Sequence, residues 1–226
     1  MIRKEQIHEG LKRIYKDLQG FETKLIAVSK TKPLEDIEYA YHCGQKIFGE
    51  NKVQELLEKA QSLNFNDIQW HFIGHLQSNK INMLLKTPNL VSIHSVDSIK
   101  LLQKLLSKKV DDAIGVFLQV NTSCEDEKSG FKNLEELEKA IELLNEHEDF
   151  YFQGLMTIGK IRTEDFAADA HKCFSKLLKY KELLCSKYPR LKVQLSMGMS
   201  SDYPIALKLG SDWIRIGSDI FGTRTL

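Results

Sequence analysis

The chain has 226 residues, 42% of them hydrophobic and 28% charged, an ordinary globular composition with apolar material for one sizeable core. Lys plus Arg is 32 and Asp plus Glu is 31, and a net charge of +1 argues against nucleic acid or an anionic membrane as partner, since both need a clustered positive field. No apolar run approaches the roughly 18 residues of a membrane span, and the charged, helix-patterned N-terminus lacks the apolar core of a signal peptide.

In chain order, the first element is an amphipathic helix that buries Ile7, Leu11, Ile14 and Leu18. β-rich segments follow at 25–29, 46–49, 68–73, 90–95, 114–120, 152–158, 192–196 and 213–217. Helical stretches separate them. Pro33 opens one that Gly44 ends, and Val53, Leu56, Leu57, Ala60 and Leu63 mark the next. Asp97 has the position of a cap. Leu134, Leu137, Ile141 and Leu144 follow Asn133 and Glu136, which are spaced as a capping box. Phe166, Ala170, Cys173, Phe174, Leu177 and Leu184 form a longer stripe. Strand then helix, repeated about eight times, predicts an α/β chain: a single (β/α)8 TIM barrel domain over 1–226 with an extra N-terminal helix. A doubly wound open sheet is the alternative. The unit count and the lack of a Gly-rich turn after the first strand favour the barrel. Four cysteines, at 43, 124, 173 and 185, have no metal-binding spacing and read as reduced thiols of a cytoplasmic protein.

Barrel chemistry gathers at the C-terminal strand ends. Here those ends carry Ser29-Lys30-Thr31, Gly49-Glu50-Asn51, His71 with Gly74-His75, His94-Ser95, Asn121-Thr122-Ser123, Thr157-Ile158-Gly159, Ser196 to Ser201, and Gly217-Ser218. Strand alternation puts Ile26, Val28 and Lys30 on one face, so an inward Val28 places Lys30 at the mouth. A partly desolvated lysine there is a nucleophile that forms Schiff bases with carbonyl compounds, pyridoxal phosphate among them. The plainer reading is a solvated loop lysine, and Lys32 competes for the role. The loops after the last two strands, Ser-Met-Gly-Met-Ser-Ser and Gly-Ser-Asp, suit a phosphate group; alone, each is an ordinary capped turn. Arg215 shares a face with Trp213 and Gly217, which points it into the barrel. There it either pairs with a carboxylate or donates to a ligand ring nitrogen. His71, His75 and His94 form no metal motif, and His71 reads as a satisfied core histidine.

Seven segments carry a resemblance: AVSKTKP at 27–33, FGENKVQE at 48–55, WHFIGHLQSNK at 70–80, NTSCEDEKSG at 121–130, GLMTIG at 154–159, LSMGMSSD at 195–202 and RIGSDIFGTR at 215–224. Over nearly its whole length the chain resembles the pyridoxal phosphate homeostasis proteins, the YggS/PROSC family. The resemblance implies a barrel like the N-terminal domain of alanine racemase, with pyridoxal 5'-phosphate as cofactor. It implies Lys30, not Lys32, as the Schiff-base lysine. It implies Ser200 with the Met199 backbone, and Gly217 with Ser218, as phosphate loops, and Arg215 as ring-nitrogen partner. Asn51 falls beside the cofactor, with capping of the following helix as its plainer role.

The resemblance implies a protein that binds, buffers or delivers pyridoxal phosphate in cellular vitamin B6 homeostasis without robust catalysis, with apo pyridoxal enzymes as candidate recipients; a monomer is expected. The alternative is an amino-acid racemase or related fold-type III enzyme. Racemization needs acid–base groups on both faces of the substrate. In the resembling enzymes the second comes from an additional C-terminal domain, which is not expected here, and Tyr203 or Tyr39 would have to replace it. A Schiff-base aldolase ranks third, with Glu50 as its only obvious proton relay.

Overall fold

Eight strands, hydrogen-bonded in sequence order, close into a parallel barrel in the computed structural model, which describes residues 3–123, 125, 129–160 and 164–223. Cys124 and Arg224, which belong to two of the motifs above, lie outside the described residues. The strands are β1 Lys24–Val28, β2 Ile47–Glu50, β3 Gln69–Phe72, β4 Leu90–Val96, β5 Ile114–Gln119, β6 Phe150–Met156, β7 Gln194–Met199 and β8 Trp213–Ile216. The helices are α1 Arg3–Asp17, α2 Leu34–His42, α3 Val53–Ser62, α4 Ile81–Leu84, α5 Ile99–Leu106, α6 Leu134–Asn145, α7 Phe166–Lys187, α8 Tyr203–Lys208 and α9 Ser218–Phe221. The open sheet is thereby excluded: β1 pairs with β8, Ile26 opposite Arg215, and the sheet has no free edge. No helix among the described residues is long and apolar enough to cross a membrane.

Period-two alternation divides the residues between two cores. Leu25, Ala27, Phe48, Trp70, Phe72, Leu195, Ile214 and Ile216 face outward into the layer shared with the helices. Ile26, Phe117, Met156 and Trp213 fill the barrel itself. The N-terminal helix buries Ile7, Leu11 and Ile14, as its spacing predicts. Gly10 lies on the same face, where a Cβ would stand 2.5 Å from the Asp219 carbonyl oxygen. That glycine lets α1 lie directly against α9, at the base of the loop after β8.

The helix signals differ in detail from the sequence reading. Ser98 rather than Asp97 caps α5, its Oγ accepting from the Leu101 N–H. Asn133 caps α6 through the Glu136 N–H, but Glu136 reaches back to the Lys132 N–H instead of closing the box on Asn133. Lys52, not Asn51, is the N-cap of α3, and no side chain satisfies that end. The capping role expected of Asn51 is therefore not realised.

Candidate functional site

Four neighbouring strands, β7, β8, β1 and β2, bring the expected site residues to one arc of the C-terminal rim. Met199 stands opposite Arg215, Ile26 opposite Arg215 on the other side, and Val28 opposite Gly49. Lys30 follows β1, Asn51 follows β2, Ser200 follows β7, and Gly217-Ser218 follow β8. Gly217 sits against β1: a Cβ there would lie 3.2 Å from the Val28 carbonyl oxygen. Chain extremes separated by nearly 190 residues thus meet within one turn of each other.

Arg215 is only 4% exposed and points into the barrel, as strand parity predicts. Its Nη1 donates to Ser196 Oγ at 2.7 Å and its Nη2 to the Thr157 carbonyl at 2.9 Å. These bonds use two of the five guanidinium N–H groups. Burial lowers its pKa to about 10, which leaves it charged at neutral pH, and buried Asp202 acts on it from a distance without a direct contact. The sequence reading did not foresee this anchoring by a hydroxyl and a carbonyl. The visible signal was Ser196 itself, a polar residue between Leu195 and Met197 on the inward parity.

Behind Ser196 the polar chain continues through the barrel. Ser196 Oγ lies 2.9 Å from His94 Nδ1, and His94 Nε2 lies 2.8 Å from His71 Nδ1. Arginine only donates, so Ser196 Oγ accepts from it. The hydroxyl keeps one O–H and a second lone pair for His94, so the two ring contacts fix each other's tautomers as a set. Burial holds both rings neutral: it lowers His71 to about 3 and His94 well below its usual value, with His71 and Arg215 adding repulsion at His94. His71 is only half satisfied, because its buried Nε2 has no hydrogen-bond partner among the described residues. His75 stands apart at the rim, near Asp97.

Lys30 lies in a turn in which the Lys32 N–H donates to the Ser29 carbonyl. Thr31 has φ +64°, in the left-handed region that a β-branched residue rarely enters. Such a conformation costs of order 1–3 kcal/mol and persists where the surroundings impose it. The Ser29 hydroxyl donates to Glu50 Oε1 at 2.7 Å, and Lys59 Nζ donates to the Ser29 carbonyl and to Glu50 Oε1, both at 2.8 Å. Glu50 shares the outward parity of Phe48, so it faces the helix layer and not the mouth. Burial raises its pKa, which the Lys59 ammonium opposes. The proton-relay role weighed for Glu50 is incompatible with that orientation. Lys32 turns elsewhere, its Nζ donating to the Gly222 carbonyl at 3.1 Å.

The residues at the arc fit an anionic, aromatic aldehyde. Arg215 offers further donors to an anionic ligand, while the Oδ1 of Asn51, buried without a partner among the described residues, is an acceptor that calls for a donor. Gly74, in the long 70–80 motif, backs that asparagine: a Cβ at position 74 would fall 2.0 Å from the Asn51 carbonyl oxygen. The Met199 N–H is already committed to Asp202 Oδ1 at 2.6 Å. That bond conflicts with the phosphate role expected of the Met199 backbone N–H. The helices after both loops are short, six and four residues, so loop N–H and hydroxyl groups outweigh any helix dipole there. Tyr203 donates to Asp17 Oδ2 at 2.7 Å with its pKa raised to about 12, and Tyr39 packs in the helix layer.

The model of the alanine racemase N-terminal domain family matches residues 2–225. The human pyridoxal phosphate homeostasis protein is 41% identical over 230 residues, covering 97% of this chain and 83% of its own length. Among solved structures, PipY of Synechococcus elongatus with PLP bound matches with a TM-score of 0.82 at 34% identity, covering 96% of this chain and all of that one. Alanine racemase of E. faecalis shares the fold, with a TM-score of 0.74 at 19% identity over 98% of this chain and 58% of its own.

Proposed function

The chain belongs to the pyridoxal phosphate homeostasis proteins, within the wider alanine racemase N-terminal domain family, and on that premise we propose that it holds pyridoxal 5'-phosphate at the arc of β7, β8, β1 and β2 and serves its homeostasis. The observation that carries this reading is the meeting of Lys30, buried Arg215 and two Gly-Ser loops on four adjacent strand ends. When bound, the cofactor would supply an aldehyde, and Lys30 would hold it through its amine. Arg215 would meet the ring nitrogen and, being cationic, would keep it unprotonated. Ser200 and the neighbouring amides, with Gly217 and Ser218, take the phosphate. Asn51 lies alongside with its free Oδ1.

One observation favours a carrier over a racemase: the tyrosines weighed as a second base are tied into the helix layer. We further propose that the protein acts in the cytoplasm as a monomer and hands its cofactor to apo pyridoxal enzymes.

The test is an absorbance spectrum with pyridoxal phosphate, followed by borohydride and peptide mass mapping. Label on residue 30, lost in Lys30→Ala and kept in Lys32→Ala, is the expected result. Label spread over surface lysines, or an unchanged spectrum in Lys30→Ala, overturns the site. Exchange of the L-alanine α-proton in deuterated buffer at an enzymatic rate would instead establish the racemase.

A further inference from the structure

The turn that carries Lys30 is held by charges it does not itself contain. Lys59, on α3, spends all three ammonium protons in one place: on the Ser29 carbonyl at 2.8 Å, on Glu50 Oε1 at 2.8 Å and on Glu55 Oε1 at 2.7 Å. The two carboxylates then reach the turn from either side of Lys30. Glu50 accepts from the Ser29 hydroxyl at 2.7 Å, and Glu55 accepts from the Thr31 N–H at 2.5 Å. The residues before and after Lys30 are therefore gripped by one buried ion cluster. The side chains of Lys59, Glu50 and Glu55 are 9%, 0% and 21% exposed.

Burying two carboxylates and an ammonium is a poor way to gain stability, because desolvation offsets most of the attraction. Their placement accounts for something else. A β-branched Thr31 at φ +64° does not hold that conformation unaided. If the turn relaxed, the backbone direction at Lys30 would swing, and a shift of about 1 Å at a reacting group can lower a rate on the order of a hundredfold. The cluster opposes that relaxation at both flanking residues. Glu50 faces the helix layer and the other two members sit on α3, so the cluster holds the turn from outside the barrel.

We propose that Lys59, with Glu50 and Glu55, is a positioning device that fixes the Lys30 amine for covalent capture of the cofactor. The inference rests on the reading of Lys30 given above and extends it to residues at the end of β2 and on α3 that hold the turn from behind.

The experiment is a double-mutant cycle on the full chain. Pyridoxal phosphate dissociation constants are measured for Glu55→Ala, Glu55→Gln and Lys59→Met, each with Lys30 present and in Lys30→Ala, and the fraction of borohydride label on residue 30 is measured wherever Lys30 is present. Glu55→Ala leaves no buried carboxylate unpaired, so it remains informative if Lys59→Met folds poorly. Glu55→Ala is expected to bind about tenfold more weakly, with less label on residue 30, and Glu55→Gln to recover because it keeps an acceptor for the Thr31 N–H. In Lys30→Ala the same substitutions should change affinity by less than about twofold. Equal losses in both backgrounds would reduce the cluster to a structural brace and overturn the proposal. So would unaltered binding by Glu55→Ala with Lys30 present. If Lys30→Ala alone keeps wild-type affinity and the wild-type absorbance spectrum, the reading of Lys30 has failed, and that arm separates this failure from the failure of the cluster.

Discussion

Burial sets the protonation of two histidines. His71 and His94 are enclosed in the barrel and bonded to each other, with the Arg215 cation near His94, so a second proton on either ring would place a charge away from water. Both histidines therefore resist protonation in the native state. The usual value is 6.5 and the native value of His71 is about 3, so below about pH 6.5 the unfolded chain takes up protons that the native chain refuses. Stability accordingly falls as pH falls through that window, by about 1.4 kcal/mol per pH unit for each histidine. Denaturant midpoints from about pH 7 to about pH 4 measure this slope. The variant His71→Gln/His94→Gln should be less stable near pH 7 yet show a flatter acid limb. An equally steep limb would mean that other groups govern the acid response.

At the scale of elements, glycines set how closely the pieces approach the site. Gly10→Ala is informative because two effects oppose each other. Helix propensity favours alanine by about 1 kcal/mol. Packing opposes it, since the new Cβ would lie 2.5 Å from the Asp219 carbonyl oxygen and 2.9 Å from the Ile220 Cα, both backbone. Overpacking against backbone costs about 1–3 kcal/mol, so net destabilisation is expected, read as a lower melting temperature. Because α9 begins at Ser218, the displaced helix should also weaken pyridoxal phosphate binding, whereas a stabilised variant would refute the close α1–α9 contact. The sequence showed such elements well and their contacts poorly. Alternation placed Arg215 correctly, since parity is local to a strand. The grip of Lys59 on Ser29 was invisible, because it spans 30 residues between two elements. The Asp202 bond that occupies the Met199 N–H was hidden by the register shift between Ser196 and Met199, which breaks the alternation on which the reading relied.

For the whole molecule, the decisive fact is where the barrel closes. The first and last strands meet through four registered pairs, from Lys24 opposite Trp213 to Ala27 opposite Ile216. Lys30 and Asn51 lie on one side of that seam, and Arg215, Gly217, Ser218 and Ser200 on the other. A ligand joined to Lys30 and held by the loops of β7 and β8 therefore ties the two ends of the chain together. Closing the ends of a long loop is entropically unfavourable, and a bound group that spans the seam opposes its opening directly. At one hundred times the dissociation constant, ligand binding stabilises by about 2.7 kcal/mol, a shift of roughly 5–10 °C in a domain of this size. The gain should also be uneven. Amide exchange should slow most in β1 and β8 and least in β4 and β5, on the far side of the barrel, because local opening at the seam is the motion that the ligand blocks. In Lys30→Ala the loops still hold the phosphate but the covalent tie is gone, so protection of β1 should fall back while that of β8 is partly kept. Uniform protection of all eight strands would show instead that the barrel opens as one unit and that the seam has no separate role.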